Sequence, residues 1–219
     1  MKLAIFNGSP RGKTSNTNKL LNHFQNGFLK AGGVIEIMEY LIMEKHLDNQ
    51  VQHFKEAENI LLAFPLYVDS APGVVKQFIE AIGNFDGSGK RIYFFIHSGF
   101  PEAIHSQGLL RYLEFLVKRW NINYGGTILK PGTEQIRMRP EKKNEKLFKD
   151  FEKLGSHLAE NGELEKEILN KFKQPYVFSK RALPIVRLLM KLGVIDSAWN
   201  KIMKENRVLD RCFDTPLLS

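Results

Sequence analysis

Short, unbroken apolar runs alternate along this chain with segments in which apolar residues recur every three to four positions. Leu3, Ala4, Ile5 and Phe6 form one such run, closed by Asn7-Gly8, as expected of a central parallel strand covered on both faces. The pattern predicts strands over Lys2–Asn7, Val34–Tyr40, Ile60–Leu66, Arg91–His97 and Gly126–Leu129. Between and after them, helical spacing predicts helices over Asn16–Ala31, Val51–Glu58, Pro72–Ile82, Glu102–Trp120 and Pro140–Asn161. Five strands alternating with helices read as an α/β fold, a doubly wound five-stranded parallel sheet with helices on both faces.

The first strand runs straight into Gly8-Ser-Pro-Arg-Gly-Lys-Thr-Ser-Asn-Thr17, a loop rich in anion-binding groups. Ser9, Arg11, Thr14, Ser15, Asn16 and Thr17 supply hydroxyls, amides and one guanidinium of the kind a phosphate monoester needs. Leu20, Leu21 and Phe24 follow at helical spacing, so the loop ends on a helix N-terminus with unpaired N–H groups and partial positive charge. A nucleoside-triphosphatase loop places four residues between its glycines, whereas only Ser9, Pro10 and Arg11 separate Gly8 from Gly12. That loop wraps amides around a polyphosphate, and removing a residue changes which amides converge. The strand Ile60–Phe64 ends in Pro65-Leu66 without the Asp that would hold magnesium, and no G-x-G-x-x-G fingerprint is present. A serine-rich turn can start a helix by capping alone, but capping needs one such residue and this loop has several plus an arginine.

These residues give the chain its resemblance to a known family. The loop resembles the FMN-phosphate loop of the flavodoxin-like NAD(P)H-dependent FMN reductases, in which G-S-P-R, a short polar run and N-T open the first helix. Phe64-Pro-Leu-Tyr-Val-Asp-Ser-Ala-Pro72 is similar to that family's segment after the third strand, and His97-Ser-Gly-Phe-Pro-Glu102 to its loop after the fourth. The likeness covers about residues 1–162. It implies the flavodoxin-like strand order 2-1-3-4-5, with all three loops at the carboxyl edge and the ligand crevice between strands one and three. By the same resemblance, Ser9, Arg11, Ser15, Asn16 and Thr17 take the phosphate of FMN. Pro65, Leu66, Tyr67 and Val68 lie along the isoalloxazine, and Ser98, Gly99 and Phe100 offer amides to its N1/C2 side. Read without the family, Phe64–Pro72 is also compatible with a plain strand end followed by a turn and a proline-started helix.

Composition agrees with a soluble cytoplasmic protein. The 219 residues are 43% hydrophobic, enough for a substantial core, and show no repeat or low-complexity tract. Cys212 is the lone cysteine, which excludes a disulfide framework and a cluster held by several thiolates. No signal peptide or membrane-spanning run is expected. The six histidines have no carboxylate or Cys at suggestive spacing, so His97 and His105 are expected as packed or surface residues, and no metal site is expected. Asp69 is expected as an acidic turn residue.

Charge sets the end of the chain apart. The formal net charge is +8, and between Lys171 and Arg211 ten basic residues face three acidic ones, so this stretch holds nearly all of the excess. The residues divide on this ground into a flavodoxin-like domain, 1–162, and a basic helical C-terminal extension, 163–219. Ile185, Leu188, Leu189 and Leu192 form one apolar stripe after Pro184, and Gly193 ends that helix. Asp196 is placed to cap a last helix carrying Trp199, Ile202 and Met203. The expectation is that these helices pack on the sheet domain or on a second subunit of a homodimer. A membrane-surface helix is the minority alternative, and the dispersed basic residues do not favour nucleic acid.

The resemblance implies an FMN-dependent oxidoreductase. It would transfer hydride from NADH or NADPH to a small acceptor such as a quinone, free flavin or nitro compound, the flavin rather than a side chain carrying the chemistry. The alternatives are a flavodoxin-type electron carrier without nicotinamide turnover and a non-enzymatic binding protein that uses the basic tail. Carriers commonly meet basic partners through acidic faces, and this basic chain is better matched to anionic dinucleotides.

Overall fold

A computed structural model describes residues 1–41, 46–137, 140–193, 196–212 and 214. Its centre is one five-stranded sheet built from β1 (Lys2–Asn7), β2 (Val34–Tyr40), β3 (Asn59–Pro65), β4 (Arg91–His97) and β5 (Asn123–Lys130). All pairs are parallel, and the order is β2-β1-β3-β4-β5, as the sequence implied. The order reverses between β1 and β3, where crossovers leave on opposite faces and open a crevice at the carboxyl edge.

Alternation along each strand divides the core in two. Ala4 and Phe6 of β1 pack with Ile60, Leu62 and Phe64 of β3 and with Ile92, Phe94 and Ile96 of β4. Phe54 of α2 (Leu47–Glu56), Phe78 and Ile82 of α3 (Gly73–Ile82) and Leu113 and Leu116 of α4 (Gln107–Arg119) cover that face. Leu3, Ile5, Leu61, Ala63, Tyr93 and Phe95 point the other way. They meet Leu20, Phe24 and Phe28 of α1 (Asn16–Lys30) and Phe151, Leu154 and Leu158 of α5 (Glu145–Asn161). The three central strands β1, β3 and β4 therefore read as continuously apolar because both of their faces are buried, whereas the edge strands β2 and β5 carry polar or exposed positions.

On that second face two glycines set the helix spacing. A Cβ on Gly27 of α1 would lie 1.8 Å from the Glu152 carbonyl oxygen, and one on Gly155 of α5 would lie 1.9 Å from that of Phe24. The two backbones touch where side chains would hold them apart.

Several elements depart from their expected bounds. The expected strand Gly126–Leu129 begins earlier, at Asn123, because a bulge at Gly125 lets Tyr124 pair with Ile92 while Gly126 pairs with Tyr93. A Cβ on Gly125 would meet the Tyr93 ring at 2.3 Å, so glycine is required there. The helix expected over Val51–Glu58 starts at Leu47, and those expected over Glu102–Trp120 and Pro140–Asn161 open with 3-10 turns, Ala103–Ser106 and Glu141–Asn144. A further helix, α6 (Lys166–Phe172), was not anticipated. Ile168 and Phe172 sink into the second core cluster together with Leu164, so the compact sheet unit runs to Val177 and past the boundary drawn at 162.

Residues 178–219 form a second compact unit with α7 (Ala182–Lys191) and α8 (Asp196–Glu205). Pro184 sits within the first turn of α7 instead of preceding it, where a missing N–H costs no helical hydrogen bond. No residue of α7 is buried. The side chains of Asp196, Trp199 and Ile202, expected to cap and line the last helix, lie outside the described residues.

Candidate functional site

At the carboxyl edge of the sheet, four loops close on one cleft. Its lining is Ser9, Arg11, Ser15, Asn16, Pro65, Leu66, Tyr67, His97, Ser98, Gly99, Thr133 and Glu134. Nine of these were expected from sequence, and they come from the ends of β1, β3 and β4 as the parallel topology requires.

The first loop is shaped from within. Asn7 Oδ1 accepts the Ser9 N–H at 3.0 Å, and a 3-10 turn over Gly12–Thr14 carries the chain to α1. Gly8 lies so close to α3 that a Cβ would approach Val75 Cγ2 to 2.2 Å. Ser15 is the N-cap of α1. Its Oγ accepts the Asn18 N–H at 3.0 Å and donates to the Gly12 carbonyl at 2.6 Å, so its proton is already committed. The first-turn N–H groups of Asn16 and Thr17 have no helical carbonyl to reach and add to the positive end of the helix. Asn16 donates through Nδ2 to the Thr133 carbonyl at 2.9 Å, which fixes its amide against the loop after β5, named the fifth loop after its strand.

Thr17, Val68 and Phe100 were expected at the site and do not line the cleft. Thr17 is fully buried, and its hydroxyl is 2.7 Å from His97 Nε2. Any part it plays toward an anion falls to its backbone N–H. Val68 is 96% exposed, at the tip of a turn in which Tyr67 and Ser70 exchange two backbone hydrogen bonds. Both central residues, Val68 and Asp69, have positive φ (49° and 57°), the backbone of a type I′ turn that ordinarily holds Asn and Gly. Asp69 turns its carboxylate to His105, 3.6 Å away, and His105 stacks on the exposed ring of Phe100.

Several amides expected to face a ligand are used internally. Leu66 N–H donates to the His97 carbonyl, Tyr67 N–H to that of Ser70, and Ser98 N–H to that of Lys130. The loop after β4 is in turn tied to the fifth loop, with Gly132 N–H on the Phe100 carbonyl at 2.7 Å and Thr133 N–H on the Ser98 carbonyl at 2.8 Å. Gly99 stands at the lining between these ties, with Glu134 Cβ 3.6 Å from where its own Cβ would be.

His97, Thr133 and Glu134 were not expected as site residues. Thr133 and Glu134 follow β5, and a fourth loop after a fourth parallel strand of the same sheet was the available signal. His97 was expected as a packed residue. It is packed, and it also forms the wall between the first and fifth loops. Its Nδ1 lies 2.7 Å from Thr133 Oγ1, which itself donates to the Ser98 carbonyl at 3.0 Å. The arrangement that satisfies every group has Nδ1–H donating to Thr133 and the Thr17 hydroxyl donating to Nε2. Burial, reinforced by the nearby charges of Arg11 and Lys130, pushes the His97 pKa down to about 3, so the ring is neutral. Burial likewise holds Lys130 below the usual lysine value, with Asp150 opposing the shift, while its Nζ donates to the Pro131 carbonyl.

The cleft thus joins a phosphate-type loop at a helix N-terminus, a flat strip of Pro65, Leu66 and Tyr67, and a tied-back Ser98-Gly99 turn. It can hold an anion at one end and a planar apolar group beside it.

A family model described as a flavodoxin-like fold matches residues 1–158. No curated protein matches the chain. Among solved structures, the chain is similar to an FMN-dependent NADH-azoreductase from Bacillus anthracis in complex with FMN, at 18% identity and a TM-score of 0.56, covering 73% of this chain and 100% of that one. It is also similar to a Trp repressor binding protein from Bacillus subtilis, at 19% identity and 0.54, covering 69% and 99%. A third similar structure is an NADPH-quinone reductase from P. pentosaceus, at 16% identity and 0.54, covering 74% and 99%.

Proposed function

The chain belongs to the flavodoxin-like fold family, and from that premise we propose that it is an FMN-dependent oxidoreductase. It takes hydride from NADH or NADPH and passes electrons to a small acceptor such as a quinone, free flavin or nitro compound. The observation that carries this reading is the convergence in one cleft of the Ser9–Asn16 loop, the Pro65–Tyr67 strip and the Ser98–Gly99 turn. The redox activities named for the azoreductase and the quinone reductase support the same class.

The donor set fits FMN. Ser9, the Arg11 guanidinium, the Asn16 amide and the first-turn N–H groups of Asn16 and Thr17 would hold the phosphate, with Ser15 fixing the turn by its cap. Pro65, Leu66 and Tyr67 would lie along the ring system, with Ser98 and Gly99 closing the opposite edge, while Val68 and Phe100 stay outside the cleft. Bound there, the flavin supplies hydride acceptance and electron transfer. The chain's own contribution is position and field. Neutral His97 holds the first and fifth loops together without adding charge, while Arg11 and Lys130 keep positive charge near the cleft, which favours negative charge arriving there.

The test is the absorption spectrum of the protein loaded with FMN, followed by anaerobic addition of NADH or NADPH. Bleaching of the oxidised flavin band, and its return when a quinone is added, is the expected result. A yellow protein that stays oxidised with both nicotinamides would make the chain an electron carrier instead. Failure to bind FMN at all would remove both readings.

A further inference from the structure

Helix α7 presents an apolar surface that its own compact unit leaves uncovered. Ile185 is 61% exposed, Leu188 56% and Leu192 66%, and Leu189 is exposed beside them. Soluble helices bury such a stripe, and here no residue of the helix is buried. The charge around it has one sign. From Phe178 to Gly193 the chain carries Lys180, Arg181, Arg187 and Lys191 and no acidic residue. Arg187 and Lys191 are one turn apart and fall on the opposite side of the helix from Ile185, Leu189 and Leu192.

Three surfaces could cover that stripe, and charge separates them. Pairing with the same face of a second copy about a two-fold axis would cover the leucines but leave Arg187 and Lys191 on the outer side with nothing of opposite charge to meet, since α7 carries no carboxylate. Nucleic acid would satisfy the basic residues and leave the leucines in water. An anionic bilayer surface satisfies both, since acyl chains take the apolar side while phosphates meet the cations. Spanning is excluded by size. Ten residues of helix reach about 15 Å against a hydrocarbon core of about 30 Å, and no helix among the described residues is long and apolar enough to cross.

We propose that α7 is an interfacial helix that lies in the surface of an anionic lipid bilayer, with Ile185, Leu188, Leu189 and Leu192 inserted and Lys180, Arg187 and Lys191 at the level of the phosphates. This goes beyond the redox reading and does not depend on it, because it rests on residues 178–219 alone. The same protein without flavin tests it equally well.

The experiment is flotation of the full chain with vesicles of phosphatidylcholine and phosphatidylglycerol mixed about three to one, and with phosphatidylcholine alone, at low and high salt. Binding to the anionic vesicles that weakens with salt is expected. Leu188→Asp should lower the partition coefficient by about tenfold or more, as should Arg187→Glu combined with Lys191→Glu, with thermal unfolding and molecular mass in solution unchanged. No flotation with anionic vesicles would overturn the proposal. So would flotation that neither variant reduces. Loss of folding, or of a dimer, on Leu188→Asp would show that protein covers the stripe, and the proposal would fall to packing within the chain or between subunits.

Discussion

His97 Nε2 lies 2.7 Å from Thr17 Oγ1, joining the carboxyl end of β4 to the first turn of α1 through two buried side chains. With Thr133 on the other ring nitrogen, one neutral imidazole braces three of the four loops around the cleft. The brace works only while the ring stays uncharged, because a protonated His97 would present two donors, and the Thr17 hydroxyl would have to turn to accept one of them.

That requirement makes stability depend on pH. Unfolded, His97 titrates near its ordinary 6.5, whereas folded it stays neutral down to about 3. Between those values the unfolded chain takes up a proton that the folded chain refuses. Stability therefore falls as pH drops through the window, by up to about 1.4 kcal/mol per pH unit, and this contribution is level above it. Urea unfolding followed from roughly pH 7 to pH 4 should show the decline, and His97→Gln should flatten it. Equal slopes in both proteins would mean that the native ring protonates freely.

Arg11 is the cation on the lining of the cleft, next to the N-terminus of α1. Arg11→Ala is expected to weaken FMN binding by about 1.5–3 kcal/mol, the scale of a hydrogen bond to a charged group. Riboflavin, which lacks the phosphate, should lose much less. Calorimetric titration with both ligands decides the matter, and an equal loss would place the guanidinium elsewhere than on the phosphate.

Val68 adopts left-handed backbone while making almost no contact, being 96% exposed. A β-branched residue in that conformation is strained by about 1–2 kcal/mol, which Asn largely avoids. Val68→Asn should raise the unfolding free energy by about 0.5–1 kcal/mol, seen as a higher denaturation midpoint at unchanged slope. A lower midpoint would mean that the valine is held by contacts the turn geometry does not reveal.

The approach of α1 to α5 gives the opposite expectation. Gly155→Ala puts a methyl group 1.9 Å from the Phe24 carbonyl oxygen, where only backbone movement can relieve the clash. A loss of about 1–3 kcal/mol or more is expected from denaturant unfolding. Gly108→Ala, where an added Cβ meets nothing within 4 Å, is the control and should be neutral or slightly stabilising.

The sequence alone carried the strand bounds of Lys2–Asn7 and Arg91–His97, because a strand buried on both faces writes its burial into consecutive residues, and those of the edge strand Val34–Tyr40, whose β-branched and alternating apolar residues mark a half-covered strand. It also carried the three loops that supply nine of the cleft's lining residues, since a parallel sheet delivers every strand end to the same edge. What it could not show was which donors remain available once the loops meet. The amides of Leu66 and Ser98 are taken by carbonyls on neighbouring strands, and the Thr17 hydroxyl by a histidine eighty residues away. The Gly125 bulge that starts β5 early, the contacts of Gly27 and Gly155, and the burial of α6 were equally hidden, because each exists only where distant segments touch. Local pattern records whether a residue faces apolar surroundings or water. Which atom satisfies which partner is decided by tertiary packing, and that choice made His97, Thr133 and Glu134 part of the site.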